Sequence, residues 1–413
     1  MNSYLYKNGD LHCDDVSIAA IAGAVGTPFY LYSAAAIEQN FREFEQALTD
    51  VPHLTCFAVK ANSNLAVLKL LYDLGSGFDI VSQGELHRLQ KIGADPKRII
   101  FSGVGKTDEE IAAALEAGIL ELHAESEEEL RKIELLAAER SARATVALRV
   151  NPNVDPKTHP YIATGLQLHK FGIPMRDAVR IYSQPENYPH LSFSGISCHI
   201  GSQITELEPF EEALENLKEL ISQLGTRGRS LKFLDVGGGL GIRYDTEKPP
   251  SIAEFGRALA RHSRSLGLTL LVEPGRSIVG EAGVLVTKVL LRKENIQKKF
   301  IVVDAGMNDL IRPTLYQAFH AIEPVKETSD GSEVVDVVGP VCETGDFFAR
   351  DRLLPPVKTG DLLIIRDAGA YGYVQVSNYN SRRRAAEVMV QNGKYRVVRE
   401  RESFEDLVRL ERF

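Results

Sequence analysis

Between residues 56 and 275 the chain repeats one theme: a short, β-rich apolar run closes on polar or glycine residues and leads into apolar residues at helical spacing. The runs are CFAVK (56–60), FDIVS (78–82), IIFSG (99–103), LELHA (120–124), TVALRV (145–150), GISCHI (195–200), FLDVGGG (233–239) and LTLLVEPG (268–275). The intervening stretches 65–74, 108–117, 127–138, 209–224 and 252–266 carry the helical period. Eight apolar strands alternating with helices predict an α/β fold built on a closed, TIM-type (β/α)8 barrel, whose strands are buried on both faces. An open doubly wound sheet is the alternative, and the even spacing of eight units disfavours it.

After about residue 280 the pattern changes to strands without long helices between them: GVLVTKVLLRKE, KKFIVVDAG, EVVDVVG, DLLIIRDAG and AAEVMVQNGKYRVV. Asn392 and Gly393 inside the last run predict a tight hairpin. The first thirty residues read as strands that join this region. The expected plan is a barrel over residues 33–280 and a discontinuous β domain from 1–32 and 281–413, sandwich-like or barrel-like. The long connection 151–172, after the fifth barrel strand, reads as a functional loop.

Composition narrows the function. At 413 residues the chain exceeds one compact core, and its formal charge of -8 argues against a nucleic-acid or anionic-membrane partner. There is no apolar run of membrane-spanning length and no signal-like amino terminus, so a cytoplasmic location is expected. Cys13, Cys56, Cys198 and Cys342 lack metal-ligand or disulfide spacing. The first three lie in strand patterns, whereas Cys342 is followed by Glu343 and Asp346 in a turn-like segment. No metal site is expected.

The polar residues of interest sit at the carboxyl ends of the barrel runs, the end that carries the active site in this architecture. Lys60 closes the first run, where a desolvated amine becomes a nucleophile toward carbonyls. Asp79 lies in the second, and His199 offers a flat ring at the end of the sixth; its bland reading is a satisfied core histidine. Gly237, Gly238 and Gly239 end the seventh run, and Gly275, Arg276 and Ser277 end the eighth. These two loops suit a phosphate, although glycine runs also serve tight turns. A buried carboxylate at Glu273 suits a protonated ring nitrogen. Schiff-base amine, stacking imidazole, phosphate loops and ring-nitrogen carboxylate together specify pyridoxal 5'-phosphate.

The segments FAVKAN (57–62), GFDIVSQGEL (77–86), HIGSQ (199–203), DVGGGLG (235–241), VEPGRS (272–277), VDAGMNDLIRPTLY (303–316), CETGD (342–346) and AGAYG (368–372) resemble the diaminopimelate decarboxylase family. That family belongs to the alanine-racemase-like, fold type III pyridoxal-phosphate enzymes. The resemblance implies that Lys60 is the Schiff-base lysine, that His199 stacks on the cofactor, and that Glu273 bonds its ring nitrogen. It implies phosphate contacts from Ser202, Gly238, Gly239, Gly275, Arg276, Ser277 and Tyr371, with Asp79 also at the cofactor. Arg276, Arg312, Tyr316, Glu343 and Tyr371 match substrate ligands, and Cys342 matches a proton donor.

By the same resemblance the substrate is a small amino acid, and the enzyme is a homodimer with shared active sites. The implied reaction decarboxylates meso-2,6-diaminopimelate to L-lysine, the last step of lysine biosynthesis. The runners-up are a related decarboxylase of ornithine, arginine or a carboxylated polyamine, and a non-catalytic pyridoxal-phosphate-binding regulatory protein.

Overall fold

The computed structural model describes residues 3–155, 170–226, 231–328 and 331–413. The chain forms two compact units: Asn40–Ile242 with Lys248–Ser277, and Met1–Gln39 with Arg243–Glu247 and Ile278–Phe413.

In the first unit, eight parallel strands close on themselves: His53–Ala58, Gly77–Ile80, Ile99–Phe101, Glu121–Ala124, Ala144–Asn151, Leu191–Ser197, Phe233–Asp235 and Thr269–Val272. Closure is made where Leu270, Leu271 and Val272 of the last strand pair with His53, Leu54 and Thr55 of the first. The expected (β/α)8 barrel is therefore present. Its strands are sealed on both faces, as their apolar runs require; Phe57, Phe78, Ile80, Ile100, Leu148 and Leu271 are fully buried.

The helices face the strands with one apolar side. Helix Glu208–Thr226 buries Phe210, Ala213, Leu214, Leu217, Leu220 and Leu224, the spacing of a single helical face, and Phe210 meets Phe255 edge-on at 4.8 Å. Thr107 and Glu110 form a reciprocal cap at the start of Asp108–Ala117, and Ser251 and Glu254 do so at Ile252–Ser263. Such caps satisfy amide donors that a helix start leaves unpaired.

Several strands end earlier than the apolar runs suggest. The first stops at Ala58, and Lys60 lies in a single 3-10 turn, Val59–Ala61. The sixth stops at Ser197, two residues before His199, and the seventh at Asp235, before the glycines. Much of the stretch 151–172, read as a functional loop, lies outside the described residues.

The second unit is built of antiparallel and mixed strands. Its twelve-residue strand Gly283–Glu294 pairs with Phe29–Ser33, Lys299–Val303 and Leu362–Ile365. Phe29–Ser33 in turn pairs in parallel with Ala386–Gln391. The hairpin from Ala386–Gln391 to Lys394–Arg399 turns on Asn392 (φ 53°) and Gly393 (φ 70°), both left-handed as a two-residue turn requires. A strand absent from the sequence reading, Phe347–Leu354, carries three charges among its eight residues and pairs with Glu333–Val338. Its charged residues mask the alternation by which a strand is read.

Candidate active site

Lys60, Ser102, His123, Arg149, His199 and Glu273 line one cavity of about 330 Å³ at the carboxyl ends of the barrel strands. Lys60 Nζ lies 2.7 Å from Asp79 Oδ2, and the Asp79 side chain is fully buried. The register that sets Ala58 opposite Asp79 brings the two neighbouring strand ends together. A desolvated, apolar setting for Lys60 was the expectation; the amine is instead held by a carboxylate and keeps 33% of its side-chain surface.

His199 is half-buried, and desolvation first, then Arg149 and Lys60, holds its imidazole well below the usual range. The Gly238 amide donates to its Nδ1 at 3.3 Å, so the ring is neutral with Nδ1 as acceptor. Arg149 pairs with Glu125 at 2.6 Å, and its guanidinium lies 4.8 Å from the centre of the Phe171 ring.

Glu273 follows the eighth strand and is only 7% exposed. Burial, then Asp235 and Asp79, pushes its carboxyl well above the carboxylate range, while Lys60 and His123 oppose the shift. Ser102 Oγ donates to Glu273 Oε1 at 3.3 Å and lies 3.2 Å from His123 Nδ1. His123 Nε2 is 3.2 Å from Glu121, and His123 Nδ1 is 4.0 Å from Glu273. Asp235, also enclosed, accepts from the Gly237 amide at 2.7 Å; burial above all pushes its carboxyl up to about 7. The barrel mouth thus gathers acids in excess of cations, a setting completed by a positively charged ring.

The glycine loop is shaped by close approach. A Cβ on Gly238 would lie 2.1 Å from the Glu273 carbonyl oxygen, and one on Gly239 (φ 110°) 2.5 Å from that of Gly201. Only glycine fits here, which leaves the backbone bare for a ligand. Arg276 donates to Ser202 Oγ at 3.0 Å, and the buried hydroxyl of Ser277 has no hydrogen-bond partner among the described residues. Gly275 is close-packed too, since a Cβ there would lie 2.9 Å from that of Ala61. Amine, neutral imidazole, acid-rich recess and bare-backbone loop fit pyridoxal phosphate.

The other predicted residues lie in the second unit. Arg312, 6% exposed, donates to Tyr244 Oη at 2.8 Å and lies 3.1 Å from His320 Nε2. His320 Nδ1 is 2.7 Å from the Arg366 carbonyl, which fixes the tautomer that offers Nε2 as acceptor. Gln375 donates to Tyr316 Oη at 3.4 Å. Tyr371 holds a left-handed backbone, φ 55°, unusual for a tyrosine. Cys342 and Glu343 are exposed; the Cys342 amide donates to Asn380, and Tyr379 donates to Glu343.

Sequence reasoning missed Ser102, His123, Arg149 and Asp235 in the barrel, and Tyr244 and His320 around Arg312. A signal existed for three of them: charged or imidazole side chains inside LELHA, TVALRV and FLDVGGG, runs otherwise apolar.

The site defines a class. A family model described as a pyridoxal-dependent decarboxylase, pyridoxal binding domain, matches residues 34–280. Diaminopimelate decarboxylase of Pseudomonas aeruginosa is 49% identical over 407 residues, covering 98% of both chains. Among solved structures, diaminopimelate decarboxylase from Helicobacter pylori complexed with L-lysine superposes with a TM-score of 0.92 at 44% identity, over 95% of this chain and 98% of that one. The enzyme from M. jannaschii in co-complex with L-lysine gives 0.95 at 36% identity, over 100% and 98%. The chain belongs to the diaminopimelate decarboxylase family of pyridoxal-dependent decarboxylases.

Proposed function

We propose that the chain decarboxylates meso-2,6-diaminopimelate to L-lysine and carbon dioxide with pyridoxal 5'-phosphate as cofactor, the closing step of lysine biosynthesis. The observation that carries this reading is likeness along nearly the whole chain to diaminopimelate decarboxylases, together with L-lysine in the solved relatives.

Bound pyridoxal phosphate supplies an electron-accepting ring for the pair left behind when the substrate's carboxylate departs. Lys60 would hold the cofactor through its Nζ, which Asp79 positions from 2.7 Å. Neutral His199 offers a ring face for stacking without a competing charge. Glu273 holds a proton at the ring nitrogen; a cation opposite it reverses the upward push on its carboxyl, because opposite charge favours ionisation. Gly238, Gly239, Ser202, Gly275, Arg276, Ser277 and Tyr371 are the residues that would hold the phosphate.

Arg276, Arg312, Tyr316, Glu343 and Tyr371 recognise the substrate, and Cys342 returns a proton to its α-carbon. Diaminopimelate differs from ornithine or arginine by a second amino-acid head group, and a planar fork such as Arg312 suits that second carboxylate. The domain division, 33–280 against 1–32 with 281–413, is part of the same reading, supported by the family match over 34–280. So are a homodimer with shared sites and a cytoplasmic location. Exposure of Cys342 and Glu343 on the single chain supports the shared site.

Arg312→Ala tests the substrate assignment. Losing a buried charge partner costs about 2 to 5 kcal/mol, or roughly 30-fold to several thousand-fold in kcat/KM for meso-diaminopimelate. Cofactor binding, read by absorbance, should not change. Unaltered kcat/KM would remove Arg312 from the substrate site.

A further inference from the structure

In the second unit, a cavity of about 340 Å³ is lined by Arg382, Arg383 and Arg401 together with Thr27, Asp304 and Phe404. Their guanidiniums engage carbonyls and a ring: Arg382 donates to the Asp304 carbonyl, Arg401 donates to the Gly26 carbonyl at 3.0 Å, and Arg383 lies 4.6 Å from the centre of the Phe404 ring. Among the described residues none of the three forms an ion pair with a carboxylate. Arg382 Nε is buried and has no hydrogen-bond partner among the described residues.

The acid on the wall is occupied. Asp304 accepts from Thr27 Oγ1 at 2.5 Å, from Thr287 Oγ1 at 2.7 Å and from the Lys288 amide at 2.9 Å. Asp309 and Asp346 feel Arg382 but are not on the cavity wall, and burial pushes both carboxyls upward, Asp309 to about 6. Burial chiefly, and then the neighbouring Arg383, hold the Arg401 guanidinium below its usual range. Three planar forks around one recess, with donors to spare, match the geometry of a bidentate oxyanion.

The cavity has a connection to the chemistry. Ser381, on its wall, follows Tyr379 and Asn380, which hold Glu343 and the Cys342 amide. Asn380 and Ser381 both adopt left-handed backbone, φ 53° and 52°, a conformation that non-glycine residues keep only where their surroundings enforce it.

We propose that this cavity binds a small oxyanion with two or more negative oxygens, a phosphate or a dicarboxylate, and that occupancy steadies the segment holding Cys342 and Glu343. The second half rests on the assignment of those two residues to the active site; the first does not.

Calorimetric titration of the holoenzyme with sodium phosphate and, separately, sodium malonate, against sodium chloride of equal ionic strength, tests the site. The bound cofactor keeps its own phosphate loop out of the titration. Saturable binding of either anion is expected in wild type. Arg383→Gln, which replaces an exposed guanidinium lying over the Phe404 ring, should weaken it by at least about 10-fold. Binding of phosphate alone identifies a phosphoryl ligand, and binding of malonate alone a dicarboxylate.

Neither anion binding below about 10 mM, or equal binding by Arg383→Gln, would overturn the site. Anion-dependent kcat/KM for meso-diaminopimelate in wild type but not in Arg383→Gln is expected, and its absence beside intact binding would overturn the coupling alone. Because calorimetry needs no turnover, failure of the decarboxylase reading would leave the site's test standing.

Discussion

Lys60 and Glu273 show how far single residues speak through a sequence. Lys60 by itself reads as an ordinary lysine at a strand end and gains meaning only from the motifs around it, and its ion-pair partner is not legible in the sequence. Asp79 reaches it only through the strand register that sets Ala58 beside it. Lys60→Ala should abolish turnover and the visible absorbance of covalently held cofactor, and borohydride reduction of the wild type should fix the cofactor to the Lys60 peptide. Label on another lysine would contradict the assignment. For Glu273, the expectation is loss of ring-nitrogen charge without loss of the cofactor. Glu273→Gln should lower kcat by roughly 100-fold while KM moves little, the pattern of an interaction made in the transition state. An unchanged kcat would remove Glu273 from the mechanism.

At the scale of elements, the barrel strands and the Asn392–Gly393 hairpin were legible because both follow local rules: apolar runs of strand length and a turn that demands positive φ. The acid-rich recess was not. His123 and Asp235 sit on different strands, and only closure of the barrel brings a nitrogen of one within 3.9 Å of the other's carboxylate. That recess predicts a pH signature. Asp235 is raised from 3.8 to about 7, chiefly by burial. A raised carboxyl contributes stability that is full below about 4 and is lost as pH climbs through about 7. Asp235→Asn keeps an acceptor for the Gly237 amide and cannot ionise. The melting temperature of its apoprotein should therefore gain on the wild type between pH 4 and 7 by several degrees, on the order of 2 to 4 kcal/mol, and run parallel above that. A difference that does not vary with pH would show that Asp235 titrates normally.

For the molecule as a whole, the two units differ in how much the sequence disclosed of them. The barrel announces itself by repetition. The strands of the second unit come from distant parts of the chain: Phe29–Ser33 lies between Gly283–Glu294 and Ala386–Gln391. Long-range pairing of that kind leaves no local pattern, and Tyr244 and His320, which hold Arg312, come from separate stretches for the same reason. Resemblance to a family therefore carried the substrate residues where periodicity could not. The central claim is the substrate, and it is tested most directly by incubating the purified holoenzyme with meso-diaminopimelate, ornithine and arginine in separate reactions and measuring carbon dioxide release. Release from meso-diaminopimelate with equimolar L-lysine, and little from the other two, is the predicted result; preference for ornithine or arginine would contradict it.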